Sequence, residues 1–266
     1  MAKANQVVEE VKGALALSED LAAEMIEDTG TGFDGVSAQD IAIPYYSILQ
    51  ALSPQVKRGP GRIENAQEGD IFNTVSQEII SGEKGVIIIP CAFNKRWVEW
   101  VPRDAGGGFV ASHPDDSILQ KCTPDKDGRP ALPNGNNIVD TAYHYVLRVF
   151  DDGRFERALI AMTSTQMKKS RRWLAQQMNL QVSVNGKMIT PPPYSHSYHF
   201  TTVGEEKNSN SWFGWKIGSP AMITDASLYR TAKQFAVDVN KGLVDVTPPP
   251  TDEGEVPVAK ADHEEF

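Results

Sequence analysis

The densest chemistry in the sequence lies at Lys168, Lys169, Arg171 and Arg172, four cations within five residues. On a helix such groups repel one another over more than half the circumference, and a polyanion relieves that repulsion. Two further cationic stretches stand out. Lys57, Arg58 and Arg62 sit among glycines and a proline in PQVKRGPGR, and Lys95 and Arg96 directly precede Trp97. Rings cluster in YSHSYHFTTV and SWFGWKI, which carry Tyr198, Trp212 and Trp215. Cations beside rings meet the needs of a single nucleic-acid strand, because the phosphates take the charge and the bases stack on the rings. The expected groove therefore comprises Lys57, Arg58, Arg62, Lys95, Arg96, Trp97, Lys168, Lys169, Arg171, Arg172, Tyr198, Trp212 and Trp215. Each has a plainer reading: loop lysines are commonly just solvated, and tryptophans commonly fill cores.

Positioning those groups calls for strands. Gly85–Pro102 reads as the longest of them, apolar on both faces at Val86–Ile89 and alternating beyond Pro90. There Phe93, Lys95, Trp97 and Glu99 share one face, and Asn94, Arg96, Val98 and Trp100 the other, so Trp97 and Trp100 cannot both line one groove. Asp151-Asp152-Gly153 and Asn185-Gly186 are hairpin turns, and Tyr194–Val203 pairs with Ser211–Ile217 across a polar loop at Gly204–Asn210. Ile41–Leu52 and Gly69–Val75 read as further strands, and Arg103–Pro133 as a long excursion with little regular structure. Helices are expected at Asn5–Asp28, broken near Ser18 with Ser18 as cap, at Ser164–Asn179 with Ser164 or Thr165 as cap, and at Asp225–Val239. The sum is a mainly β, α+β fold: an antiparallel, partly open β-barrel of OB type with an inserted helix, flanking N- and C-terminal helices and a disordered acidic tail. A sandwich would fit nearly as well.

Three segments follow: an acidic helical stretch and linker at 1–40, a nucleic-acid-binding domain at 41–244, and the tail at 245–266. The formal net charge of −9 divides unevenly. Residues 1–40 hold nine acids and two lysines and residues 251–266 hold six acids and one lysine, which leaves +3 for residues 41–250. A mildly basic body between acidic ends suits a polyanion groove for which the ends compete. The tail closes on Asp262-His263-Glu264-Glu265-Phe266, a peptide hook in which a terminal ring fills an apolar pocket while Asp262, Glu264 and Glu265 meet basic residues around it.

Other functions find little support. Gly30-Thr31-Gly32-Phe33-Asp34-Gly35 matches a dinucleotide fingerprint by letter but follows a helix rather than a strand. Cys91 and Cys122 lack a CxxC pair and are expected to be reduced, partly buried thiols, while His196 and His199 lack the company of a metal site. No nucleophile elbow, zinc-protease helix or phosphate loop occurs, so neither catalysis nor a cofactor is expected. No apolar run of membrane length and no secretory leader is seen, which points to the cytoplasm, that of the host if the protein is phage-encoded.

The segments IPYYSILQALSPQV, GDIFNTVS, GEKGVIIIPCAFNKRWVEWVPR, MTSTQMKKSRRW and SWFGWKI, together with the acidic end and its terminal Phe266, resemble a family of bacteriophage single-stranded DNA-binding proteins. The resemblance covers most of residues 41–220 and transfers no individual site. It implies a protein that coats replication or recombination intermediates and docks replication or recombination proteins through its tail, with homo-oligomers possible. The alternative is a phage virion or scaffold protein that binds no nucleic acid.

Overall fold

The computed structural model describes residues 18–36 and 41–244. The expected helix before Ser18 and the hook residues Asp262, Glu264, Glu265 and Phe266 lie outside the described residues. The chain divides into two compact units, Met1–Ile41 and Ala42–Phe266.

In the first unit, helix α1 spans Glu19–Glu27, and the Ser18 hydroxyl accepts a hydrogen bond from the Leu21 N–H at 3.3 Å. The side chain thereby satisfies one of the donors that a helix start leaves open. Gly30 and Gly32 follow with positive φ, in turns after a helix, so the glycine spacing here belongs to a linker.

The second unit is mainly β with helices packed on it. Its spine is an antiparallel pair, β4 (Val86–Trp100) and β8 (Asn137–Val149), matched from Ile87 opposite Val149 to Trp100 opposite Asn137. The register shifts between Pro90 and Ala92, where a proline without an N–H suits a bulge. Around one end of the spine, β12 (His196–Lys207) pairs with β4, β13 (Asn210–Ile217) with β12, and β9 (Phe155–Thr163) with β8. At the other end, β5 (Phe109–His113) pairs with β4, while β7 (Pro130–Ala131) and then β6 (Thr123–Pro124) extend from β8.

A small sheet of β1 (Tyr46–Ile48), β2 (Ile71–Asn73) and β3 (Ile79–Ile80) spans the first end. Tyr45 bridges to Leu159 on β9, while Gln50 bonds to Phe213 on β13. Tying both edges of the large sheet to one short sheet curls it into an open half-barrel.

Alternation along the strands sends side chains to two cores. On the inner face Ile88, Val146, Ile160 and Phe200 meet Tyr46 and Ile71 of the small sheet and Trp173 of helix α2 (Met167–Met178). On the outer face Ile89, Tyr145, Leu147 and Leu159 meet Phe235, Ala236 and Val239 of helix α3 (Ala226–Asn240).

Where the small sheet meets the inner face, Arg148 donates to Glu78 through both terminal guanidinium nitrogens, at 2.5 and 3.1 Å, and to the Tyr46 hydroxyl at 2.7 Å. Tyr46 in turn bonds to Glu156, and the Asn73 amide donates to both. Burial works against the charge on Arg148, but the bonds to Glu78 and Tyr46 outweigh it and hold the guanidinium protonated. Burial and then the Glu156 bond push the Tyr46 phenol above its usual range.

Three expectations change. The strand expected over Ile41–Leu52 shrinks to Tyr46–Ile48, since Pro44 cannot donate to a ladder and the chain then turns into the loop that follows. The excursion after Arg103 supplies β5, whose residues find an open edge on the far half of β4, and β7 and β6, which extend from the start of β8. The loop expected at Gly204–Asn210 is mostly strand: Asn208 and Ser209 adopt positive φ and turn the chain within two residues.

Candidate nucleic-acid interface

Helix α2 is fixed by what it buries. Trp173, 1% exposed, packs edge-on against Phe200 and Tyr198 with ring centroids 4.8 and 5.5 Å apart, and lies 4.8 Å from the His144 ring. Ser170 and His144 Nε2 share a 2.8 Å hydrogen bond in the same core. Burial draws His144 down to about 3, so this imidazole is neutral at physiological pH.

The helix begins unlike the sequence expectation. A single 3-10 turn at Ser164–Gln166 precedes it, and neither Ser164 nor Thr165 caps it: the cap position is Gln166, with no side-chain cap bond. Gln166 instead accepts from the Trp215 N–H at 3.1 Å, while Gln50 accepts from the Phe213 N–H and donates to the Phe213 carbonyl, both at 2.9 Å. The two glutamines satisfy backbone groups along the outer edge of β13, an edge that would otherwise invite another strand.

This arrangement sets α2 beside the β12–β13 hairpin with an open cleft of about 490 Å³ between them. Thr165, Lys168, Lys169 and Arg172 line it from the helix side, and Glu205, Glu206, Lys207 and Trp212 from the hairpin. Lys169 Nζ lies 2.7 Å from Glu205 Oε1, and the Trp212 indole N–H donates to Glu205 Oε2 at 2.8 Å. Glu205 therefore steadies one cation and one ring at once. Gly214 makes room for this: a β-carbon there would run into the Lys169 ammonium and approach Gln166 and Glu205 to within 2.6 and 2.7 Å. Lys168 and Arg172 remain exposed.

Of the residues expected in the groove, Lys168, Lys169, Arg172 and Trp212 come together here. Arg171 is exposed on the same helix but does not line the cleft. Lys95 and Trp97 form a separate pair on β4, with the ammonium 5.0 Å over the ring and 3.2 Å from Asp140. Arg96 projects from the opposite face, as the alternation requires. Lys57, Arg58 and Arg62 are exposed on the loop after Gln50 and line no part of the cleft. Tyr198 and Trp215 need correcting: at 1% and 3% exposed they are inner-core residues packed on Trp173 and Phe200, out of reach of a stacking base. Of the two β4 tryptophans, Trp100 packs against the outer core and Phe109, and Trp97 is half-buried.

The sequence reading missed Thr165, Gln166, Glu205, Glu206, Lys207 and Gly214. The available signal was the pair Asn208-Ser209, which tolerates a tight turn and thereby places Glu205 opposite Trp212. Among the described residues no cluster of three or more His, Cys, Asp or Glu could hold a metal, and no helix is long and apolar enough to cross a membrane.

The Pam3 phage gp34-like protein family matches residues 12–245 of the chain. The chain belongs to that family. Its members are thus bacteriophage proteins by name, which agrees with the phage origin expected from the sequence. No curated protein and no solved structure gives a significant match.

Proposed function

We propose that this phage protein binds single-stranded DNA without sequence preference during replication or recombination in the host cytoplasm, and that it acts as a binding protein rather than an enzyme. One observation carries the reading: the cleft beside α2, where Lys168 and Arg172 stand exposed opposite an indole held in place by Glu205. Cations at phosphate-binding positions next to a fixed ring are the combination that retains unpaired nucleotides. In the same reading the half-barrel works as an open barrel of OB type whose mouth is flanked by α2 and the β12–β13 hairpin. The acidic end, Asp252 to Phe266, competes for the cleft and recruits replication proteins.

The test is quenching of tryptophan fluorescence by a short oligothymidine. Quenching that vanishes as salt rises is expected. Absence of quenching at low salt would remove the reading. Truncation at Asp245 is expected to tighten strand binding, and unchanged affinity would count against the tail as competitor. A second reading, a virion or scaffold protein, is favoured by the hairpin β10 (Val182–Val184) and β11 (Lys187–Ile189). It exposes Val184 and Ile189 on one face and Met188 on the other, apolar side chains suited to protein packing.

A further inference from the structure

We propose that a second pocket, on the other flank of α2, takes one unstacked nucleobase from the strand whose phosphates occupy the basic cleft; this rests on the function proposed above. The pocket encloses about 260 Å³ between β4, the C-terminal half of α2 and the chain leaving β11. Its walls include Phe93, His144, Leu174, Gln177, Pro191 and Pro193. That volume falls below the roughly 300 Å³ at which pockets for drug-sized ligands begin, which leaves room for a single ring system. The walls are flat: the Phe93 and His144 rings lie 5.1 Å apart at 52°, and the two prolines add rigid aliphatic faces.

One polar group has no counterpart in this surface. The Gln177 Nε2 is buried and has no hydrogen-bond partner. A buried amide donor left without an acceptor is costly, and a turn of the Gln177 side chain brings it to the pocket that the residue lines, so the ligand that suits the pocket combines a flat ring with an acceptor on its edge. Nucleobases have that form, since each carries a ring-edge carbonyl or ring nitrogen beside two apolar faces. A phenylalanine ring fills the same space and leaves the amide unsatisfied.

Position along the helix links the pocket to the cleft. At 3.6 residues per turn, Lys168 and Arg172 face one flank, Leu174 and Gln177 face roughly the opposite one, and Arg171 sits on the exposed crest between. A strand leaving the cleft crosses a helix about 10–12 Å wide, meets Arg171 at its top and reaches the pocket within a few nucleotides. Arg171, which lines no cleft, gains a phosphate contact by this path. Met178 forms the far lip, and its flexible thioether can fold against an inserted base.

The experiment compares a fluorescein-labelled oligothymidine with an abasic strand of equal length, on the full chain, across a salt series. The wild type is expected to prefer the thymidine strand by about tenfold. Gln177→Leu and Phe93→Ala should each lower that ratio severalfold, to what stacking on Trp212 alone supplies, while the salt slope stays the same, with thermal melts confirming that both fold. Variants that retain the full ratio overturn the pocket and leave the cleft standing, whereas a wild-type ratio near one overturns the pocket and removes stacking on Trp212 as well. If a peptide of residues 261–266 binds in a Gln177-dependent manner and thymidine does not, the occupant is a peptide and the proposal fails. Should neither strand bind the wild type, the proposed function itself falls, and this inference with it.

Discussion

Helices α2 and α3 cover opposite faces of one sheet, yet they bury different chemistry. The buried residues of α3 are Ala232, Phe235, Ala236 and Val239, all apolar, and Asp238 pairs with Arg157 at 3.6 Å. The buried residues of α2 are Ser170 and Trp173, one of them hydrogen-bonded to a buried histidine, and the helix carries four cations and no acid. A helix whose buried side chains are all apolar can close flush against a sheet. Helix α2 buries one large ring and one polar side chain, with Met167 packed on the same core, and it is flanked by the cleft on one side and the pocket on the other. Helix α3 closes its face of the sheet, and helix α2 leaves open space on both flanks.

Breaking α3 should therefore give the largest effect. Phe235→Ala removes a fully buried ring and is expected to cost about 3–5 kcal/mol in urea unfolding, with strand binding unchanged wherever the variant is folded. Binding lost in step with α3 packing under folded conditions would erase the distinction between the helices.

Under α2 the expected signature is a pH dependence. His144 is held down to about 3 against an ordinary 6.5, so below 6.5 the unfolded chain takes up a proton that the folded one refuses. Stability from this group is complete above the unfolded value and falls as pH drops toward the folded one. Between pH 7 and 5 the wild type should lose about 2 kcal/mol more than His144→Gln. The Glu99 carboxyl, held below its usual range by the Asn136 amide against the pull of burial and aided by His113, titrates beneath that window. Equal losses in the two proteins would place His144 in contact with water.

Charge on α2 should matter for binding and not for folding. The double variant Lys168→Ala/Arg172→Ala is expected to weaken oligothymidine binding about tenfold and to lower the log–log salt slope by about 1.4. Its unfolding free energy should stay within about 0.5 kcal/mol of wild type. The smallest effect belongs to Gly214→Ala, also within about 0.5 kcal/mol, because the atoms its β-carbon meets are ends of flexible side chains. Its expected trace is spectroscopic: Lys169 is displaced from Glu205 and Trp212 emission shifts. Unchanged emission would mean that the pair does not depend on the glycine.

Local geometry was legible in the residues. The Ser18 cap, the Asn185-Gly186 and Asp151-Asp152-Gly153 turns, and the register that sets Lys95 and Trp97 on one face all rest on backbone preferences within a few residues. The extent of α3 and the C-terminal end of α2 were also readable from apolar spacing. The site was less so. Tyr198, Trp212 and Trp215 looked equivalent as rings on neighbouring strands, yet only Trp212 lines the cleft.

Alternation by itself determined which side chains share a face of a strand, and turn chemistry determined where strands reverse. Which face became core was decided by the layers laid over it: α2 and the small sheet enclosed Tyr198 and Trp215, and the curl of the sheet left Trp212 at its edge. The ion pair of Lys169 with Glu205 and the room supplied by Gly214 join residues far apart in the chain. Such contacts exist only after the sheet has closed on its helices, since a sequence records which groups are available and packing decides which of them meet.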